Sequence, residues 1–349
     1  RRRLTHMREQ GVIAADVSIV DPTLLEPRRR ARDCAADLDC VQDNTRRIKR
    51  GHLLVFVTLR NEQPRIPYFL DYYRRRGIDH FLFVDNGSTD GFRDYVRGFD
   101  DCSVWLTGAS YKASNFGVDW MNHLLGRYGH GHWCLTLDPD EIMVYPHCES
   151  RNIPELVEFL EMEERDHFFC LLLDMYGRGG IAAPTCAQGQ DPLDVAPYFD
   201  VLGYAQREDA SYGETYVQGG PRRRMFFKEN PELAPALNKT PLIKWDRSYA
   251  YLSSTHTAAP KRLNRPHPAK APHLAPTGCL LHFKFLAMLK EKVAEEMVRG
   301  EHYAGSAEYV RYSAVLSSRH DSLFYDHSAR YEGSRQLHDL GLLSFGQWF

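Results

Sequence analysis

From Gly51 onward the chain alternates short apolar runs with amphipathic stretches. "HLLVFVTL" predicts a buried strand. "PRIPYFLDYYRRRG" has the spacing of a helix, with prolines near its start and Gly77 as its stop. "HFLFVDN" predicts a second strand, "GSTDGFRDYVRGF" a helix behind turn and cap residues, and "CSVWLTG" a third strand. In "NFGVDWMNHLLGRYG" the residues Phe116, Trp120, Leu124 and Tyr128 share one helical face. "HWCLTLD" is a fourth strand. Asn152 and Glu155 have capping-box spacing ahead of "IPELVEFLEMEERD", whose Ile153, Leu156, Val157 and Leu160 make an apolar stripe, and "HFFCLLLDMYG" is a fifth strand. Strands with helices between them predict an α/β fold built on a doubly wound, mainly parallel sheet.

After Gly177 the regularity fades into a stretch rich in Gly, Pro and aromatic residues that runs to about Gly278, the composition of an insertion wrapping a substrate site. "CLLHFKF" then predicts one further strand or strand end, and "LAMLKEKVAEEMVRGEHYA" an amphipathic helix with a strongly charged face. Residues 1–50 carry the basic clusters "RRR" and "EPRRRAR" with little apolar periodicity, and are expected to form an N-terminal arm able to touch an anionic membrane surface. The expected organisation is this arm, a main domain over 51–320 (a strand-rich half, 51–176, and an irregular half with C-terminal helices, 177–320) and a tail over 321–349.

Composition narrows the function classes. With 43% hydrophobic residues, 26% charged residues and a net charge of -2, the chain has neither the polycationic bulk of a nucleic-acid-coating protein nor the bias of a disordered one. No apolar run approaches transmembrane length, and the Arg-rich start lacks the apolar core of a signal peptide, so a cytoplasmic protein, at most peripheral at the inner face of a membrane, is expected. The eight cysteines form no CxxC pair and are expected as free core thiols.

In open α/β sheets ligands bind beyond the carboxyl ends of the strands. The predicted strands end in Thr58, Arg60, Asn61 and Glu62, in Asp85, Asn86 and Gly87, in Asp138, Asp140 and Glu141, and in Asp174. That is one electronegative crevice. "TLRNEQP" after the first strand is neither a dinucleotide-binding GxGxxG nor a P-loop. Asp138 and Asp140, two apart in an extended segment and stiffened by Pro139, would project to one side and share a hard cation, Mg²⁺ or Mn²⁺, completed by substrate phosphates.

"VTLRNEQPRIPYFLDYYRRRGIDHFLFVDNGSTDG" followed by "LDPDE" resembles the nucleotide-sugar-binding half of GT-A glycosyltransferases of the family 2 type, and "SSTHT…LLHFKF" resembles the subgroup that is also similar to family 92. The resemblance spans about residues 51–320. It implies metal-dependent transfer of a sugar from a nucleoside diphosphate donor, a UDP-sugar above all, to a hydroxyl of a glycan or glycolipid acceptor in surface polysaccharide or glycoconjugate synthesis. Thr58, Arg60, Asn61 and Glu62 are then expected in the nucleotide pocket, with Asp85 and its neighbour Asn86 at the base or ribose, Asp138 and Asp140 holding the ribose and the divalent metal, and His282 completing the metal site.

A departing diphosphate needs cations, and Lys284, Lys239 and Arg222 to Arg224 are candidates beside the metal. Inversion needs a base for the acceptor proton, for which Asp174 comes first on position, with Asp246 and His256 as alternatives; retaining transfer without a base is the other possibility. Tyr198, Phe199, Tyr204, Tyr212 and Tyr216 are expected on the acceptor side, where sugar faces stack on rings. A nucleotidyltransferase forming nucleotide sugars, or a non-catalytic glycan- or nucleotide-binding protein on the same fold, are the competing readings.

Overall fold

The computed structural model describes residues 22–252, 254–266, 274–301, 307–316 and 322–348. Its centre is a nine-stranded mixed sheet. The strands are β1 (Asp39–Gln42), β2 (Leu53–Leu59), β3 (His80–Asp85), β4 (Cys102–Leu106), β5 (Trp133–Thr136), β6 (Glu141–Val144), β7 (His167–Asp174), β8 (Asn238–Lys244) and β9 (Gly278–His282), in the spatial order β1-β4-β3-β2-β5-β8-β7-β9-β6. The helices are α1 (Leu25–Asp33), α2 (Ile66–Arg75), α3 (Phe92–Val96), α4 (Val118–Leu124), α5 (Ile153–Met162), α6 (Met288–Arg299), α7 (Ala307–Leu316) and α8 (Ser334–Asp339).

The strand alternation explains the layering. Along β2, Val55, Val57 and Leu59 face a core that includes Ile66, Phe69 and Tyr73 of α2 and Leu156 and Leu160 of α5, whereas Leu54 and Phe56 face Val118, Trp120, Met121 and Leu124 of α4. Helices therefore cover both faces. The expected caps are present: Asn152 Oδ1 accepts from Glu155 N at 3.0 Å while Asn152 N donates to Glu155 Oε2 at 2.7 Å, and Gly77 follows α2 with φ +90°.

The sheet is less parallel than the pattern predicted. β3, β2 and β5 run parallel to β4 and β9 runs parallel to β7, but β8 is antiparallel to both β5 and β7, β6 is antiparallel to β9, and β1 is antiparallel to β4. β8 lies inside the stretch expected to be irregular. Pro241 masks it as a central strand in sequence; the ladder with β7 accommodates the proline by a register shift between Lys239 and Leu242. The antiparallel strands β8 and β6 begin at the same sheet edge at which the parallel ones end.

Two terminal regions are built into the domain. Within the expected arm, α1 packs on α4 through Arg30, whose Nε lies 3.0 Å from Asp119 Oδ2, and β1 forms the sheet edge beside β4. Arg1 to Arg3 lie outside the described residues. The expected tail contributes a strand, Ser328–Arg330, paired with Tyr198–Asp200, and Trp348, which stacks on Phe159 at 5.7 Å. The eight cysteines are free, with Cys102, Cys134 and Cys170 buried in strands. Among the described residues no helix is long and apolar enough to cross a membrane.

Candidate functional site

Four residues, Leu137 to Asp140, carry the chain from β5 to β6, past the ends of β8, β7 and β9. Leu137 N donates to Phe56 O of β2 at 3.2 Å, and Asp140 O accepts from Phe283 N, just past β9, at 2.8 Å. The Asp-Pro-Asp segment is thus strapped across the carboxyl edge of the sheet. It is a turn rather than an extended run, closed by Glu141 N donating to Asp138 O at 3.0 Å. The two aspartates part company there: Asp138 is exposed and stands 3.8 Å from Lys239 Nζ, whereas Asp140 turns inward toward His282.

His282 ends β9, in register with Asp174 of β7 on one side and Glu141 of β6 on the other. Its Nδ1 donates to Asp174 Oδ1 at 2.7 Å and its Nε2 lies 3.5 Å from Asp140 Oδ2. Asp174's other oxygen, Oδ2, accepts from Arg222 Nε at 2.8 Å. Burial would raise the Asp174 carboxyl, but Arg222 and His282 hold it down to about 2. Burial likewise works against charge on His282, yet Asp140 and Asp174 push the imidazole up to about 9. Asp140, despite its burial, is carried well below the carboxylate range by His282, with Arg65 and Lys292 contributing.

Asp174 therefore does not fit the role of a base. Both its oxygens are engaged, by Arg222 and His282, and its geometry is that of a carboxylate orienting the His282 imidazole. Asp140 and His282 Nε2 could share a divalent cation in place of the proton between them. Among the described residues no group of three or more His, Cys, Asp or Glu forms a ready cage. Two protein ligands suit a cation completed by substrate phosphates and water.

The cleft in front of this pair holds about 200 Å³ and is lined by Thr58, Arg60, Glu62, Asn86, Asp138, Asp140, His282 and Lys284, as expected from the strand ends, together with Arg65, Tyr111, Lys292, Glu295, Arg299 and Tyr309. An adjoining hollow of about 310 Å³ continues past Arg60 and Asn86 to Gly87, Gly108 and Ser110. Arg60 is fixed by donating from Nη1 to Asn86 O at 2.7 Å and to Gly87 O at 2.9 Å. Lys284 Nζ lies 5.4 Å and 5.1 Å from the ring centroids of Tyr309 and Tyr312. The lining residues from α6 and α7 escaped the sequence reading, although the charged face of "LKEKVAEEMVR" was the signal for those on α6.

Other expected residues lie elsewhere. Asp85 is fully buried, bonded to Arg93 and accepting from Ser88 N at 2.8 Å, so it shapes the loop after β3 rather than lining the cleft. Asn61, at φ +51°, accepts from Thr89 N at 2.8 Å and ties two loops together. Lys239 is buried against Glu141, with Nζ 2.7 Å and 2.9 Å from its two oxygens; burial opposes the lysine's charge, and Glu141 more than restores it. Arg222 serves Asp174. Gly219, three residues before Arg222, packs on Tyr204, since an added Cβ would stand 2.6 Å from that ring.

Asp246 follows β8 at the opposite edge of the sheet, 3.5 Å from His130, so the antiparallel run of β8 removes it from the site. His256 is half-buried, with Nδ1 2.7 Å from Asn238 O; burial, then Lys239, lower it to about 3. The aromatic group divides: Phe199 is core, Tyr198 packs on Phe324 at 5.0 Å, Tyr204 donates to Asp200 O at 2.8 Å, Tyr216 lies under Arg207 at 4.4 Å, and Tyr212 is exposed. None of the five lines the cleft. No family model matches the chain, and no curated protein matches it significantly.

Proposed function

We propose that the chain is a metal-dependent GT-A-type glycosyltransferase that binds a nucleoside diphosphate sugar in this cleft and passes the sugar to a glycan or glycolipid hydroxyl. One observation carries the reading: at the carboxyl edge of the sheet, Asp140 faces His282 Nε2 at 3.5 Å, with Asp174 behind the imidazole and basic side chains around the opening. Carboxylate and imidazole together suit Mn²⁺ or Mg²⁺, and a diphosphate would complete the shell. When bound, such a cation stabilises negative charge on the departing diphosphate. Arg60 and Lys284 line the same space and would meet the remaining phosphate charge. Asn86, Gly87, Gly108 and Ser110 border the hollow left for the nucleoside. Glu62 lies beneath, ion-paired to Arg65 at 2.6 Å, which fixes that guanidinium near Asp140.

A donor-hydrolysis screen tests this. Purified protein is incubated with UDP-, GDP- and CMP-linked sugars, with Mn²⁺ or with chelator, beside Asp140→Ala. Metal-dependent release of one nucleotide, lost in the variant, is expected. No release from any donor, together with no nucleotide-induced thermal shift, would rule the reading out.

A further inference from the structure

Helix α6 lies over the cleft. It starts six residues after β9 ends, and its buried Leu289 and Val293 join Phe226, Phe285, Tyr309 and Tyr312 in an apolar cluster. The adjoining face meets the residues assigned to the donor. Lys292 pairs with Glu62, Glu295 Oε1 lies 2.8 Å from Arg60 Nε, and Arg299 Nη2 donates to Asn86 Oδ1 at 3.3 Å. Just beyond the helix, past Gly300 at φ +63°, Glu301 Oε2 accepts from Ser110 Oγ at 2.6 Å and from Lys112 N at 2.8 Å. From Lys292 to Glu301 is roughly 13 Å at helical rise. The contacts therefore cross the ends of β2, β3 and β4 in turn, along the line the donor would take.

Three features distinguish this from ordinary packing. Of the three carboxylates between Lys292 and Glu301, Glu295 and Glu301 rest on donors beyond the helix (a guanidinium, a hydroxyl and a backbone N–H), while Glu296 lies 3.6 Å from Arg299 of the same helix. Arg60 is held rigid by two backbone carbonyls, so its Nε edge is a preset anion receptor that Glu295 fills. The cleft that α6 lines most fully retains about 200 Å³, less than the roughly 310 Å³ of the adjoining hollow.

We infer that α6 is an internal occupant of the donor groove, with Glu295 on Arg60 as surrogate for a donor anion, and that the donor binds by displacing it. The inference rests on the donor-site reading above. The contacts suit exchange: Arg60 and Glu295 are each about one-third exposed, 30% and 32%, so their pair is weak enough to trade for a phosphate. The helix is tethered by β9 on one side and by the apolar cluster beneath, so it can lift without unfolding the sheet.

The test uses the whole chain and inorganic pyrophosphate with Mn²⁺ as the probe, beside UDP with Mn²⁺. Hydrogen exchange of residues 288–301 is followed with and without probe, and probe affinity is measured by calorimetry for wild type and Glu295→Gln. The expected result is that bound probe speeds exchange across α6 by at least about fivefold. Glu295→Gln should exchange faster without probe and bind it about fivefold more tightly, the scale of one released ion pair. Tighter binding alone could reflect removal of a negative charge, so the exchange readout decides. Probe that binds wild type while α6 exchange stays constant or slows overturns the inference and leaves the donor-site reading standing. Absence of binding to both proteins overturns the two together.

Discussion

His282 and Asp174 stand in register on β9 and β7, and the 2.7 Å hydrogen bond between them aims His282 Nε2 at Asp140. A carboxylate in this position sets the ring's tautomer and direction. Asp174→Asn is therefore expected to weaken Mn²⁺ binding by about 10–100-fold, and Asp140→Asn to weaken it at least as much. Direct Mn²⁺ titration by calorimetry reads this without turnover. Wild-type metal affinity in Asp174→Asn would remove the orienting role.

The buried Lys239–Glu141 pair predicts a stability pattern rather than a donor-binding one. Lys239→Met leaves Glu141 buried without its cation and should cost about 3–5 kcal/mol, whereas Lys239→Met with Glu141→Gln should recover most of that loss. Urea unfolding of the two single variants and the double variant closes the cycle. Additive losses would mean that the pair is not coupled.

His80 begins β3 and its Nε2 lies 2.9 Å from Ser103 Oγ of β4. Burial lowers its pKa from the ordinary value of 6.5 to about 4. Between those values the unfolded chain binds the proton and the folded chain does not, so stability falls as pH drops from 6.5 toward 4 and is independent of this group above 6.5. The loss due to His80 should reach about 3 kcal/mol near pH 4, and His80→Gln should flatten that part of the pH profile. An unchanged slope in the variant would assign the acid sensitivity to other groups.

Gly278 opens β9, four residues before His282. A Cβ there would stand 2.5 Å from Val144 O and 2.7 Å from the Phe168 ring. The obstacle is backbone on one side and packed core on the other, so Gly278→Ala should destabilise the fold by about 3 kcal/mol, measurable by chemical denaturation. A change below about 0.5 kcal/mol would mean that the neighbouring strands yield freely.

Much of the frame is legible in local pattern. The apolar runs mark β2, β3, β4, β5 and β7, the Asn152–Glu155 spacing marks the start of α5, and "CLLHFKF" marks β9. The acidic segment after "HWCLTL" and the histidine of "LLHFKF" both reach the cleft. β8 is hidden because a proline interrupts its strand pattern, and α1 with β1 because their periods are too short to stand out against the basic clusters.

The sequence by itself determined which segments bury a face and which carboxylates, imidazole and cations were available at strand ends, because burial and backbone geometry repeat over a few neighbouring residues. Only the tertiary structure decided how those charges pair. Asp174 and His282 are 108 residues apart, Glu141 and Lys239 are 98 apart, and Arg60 and Glu295 are 235 apart. Which partner each finds depends on strand order and register, and a buried charge settles on whichever opposite charge that register brings within hydrogen-bond reach.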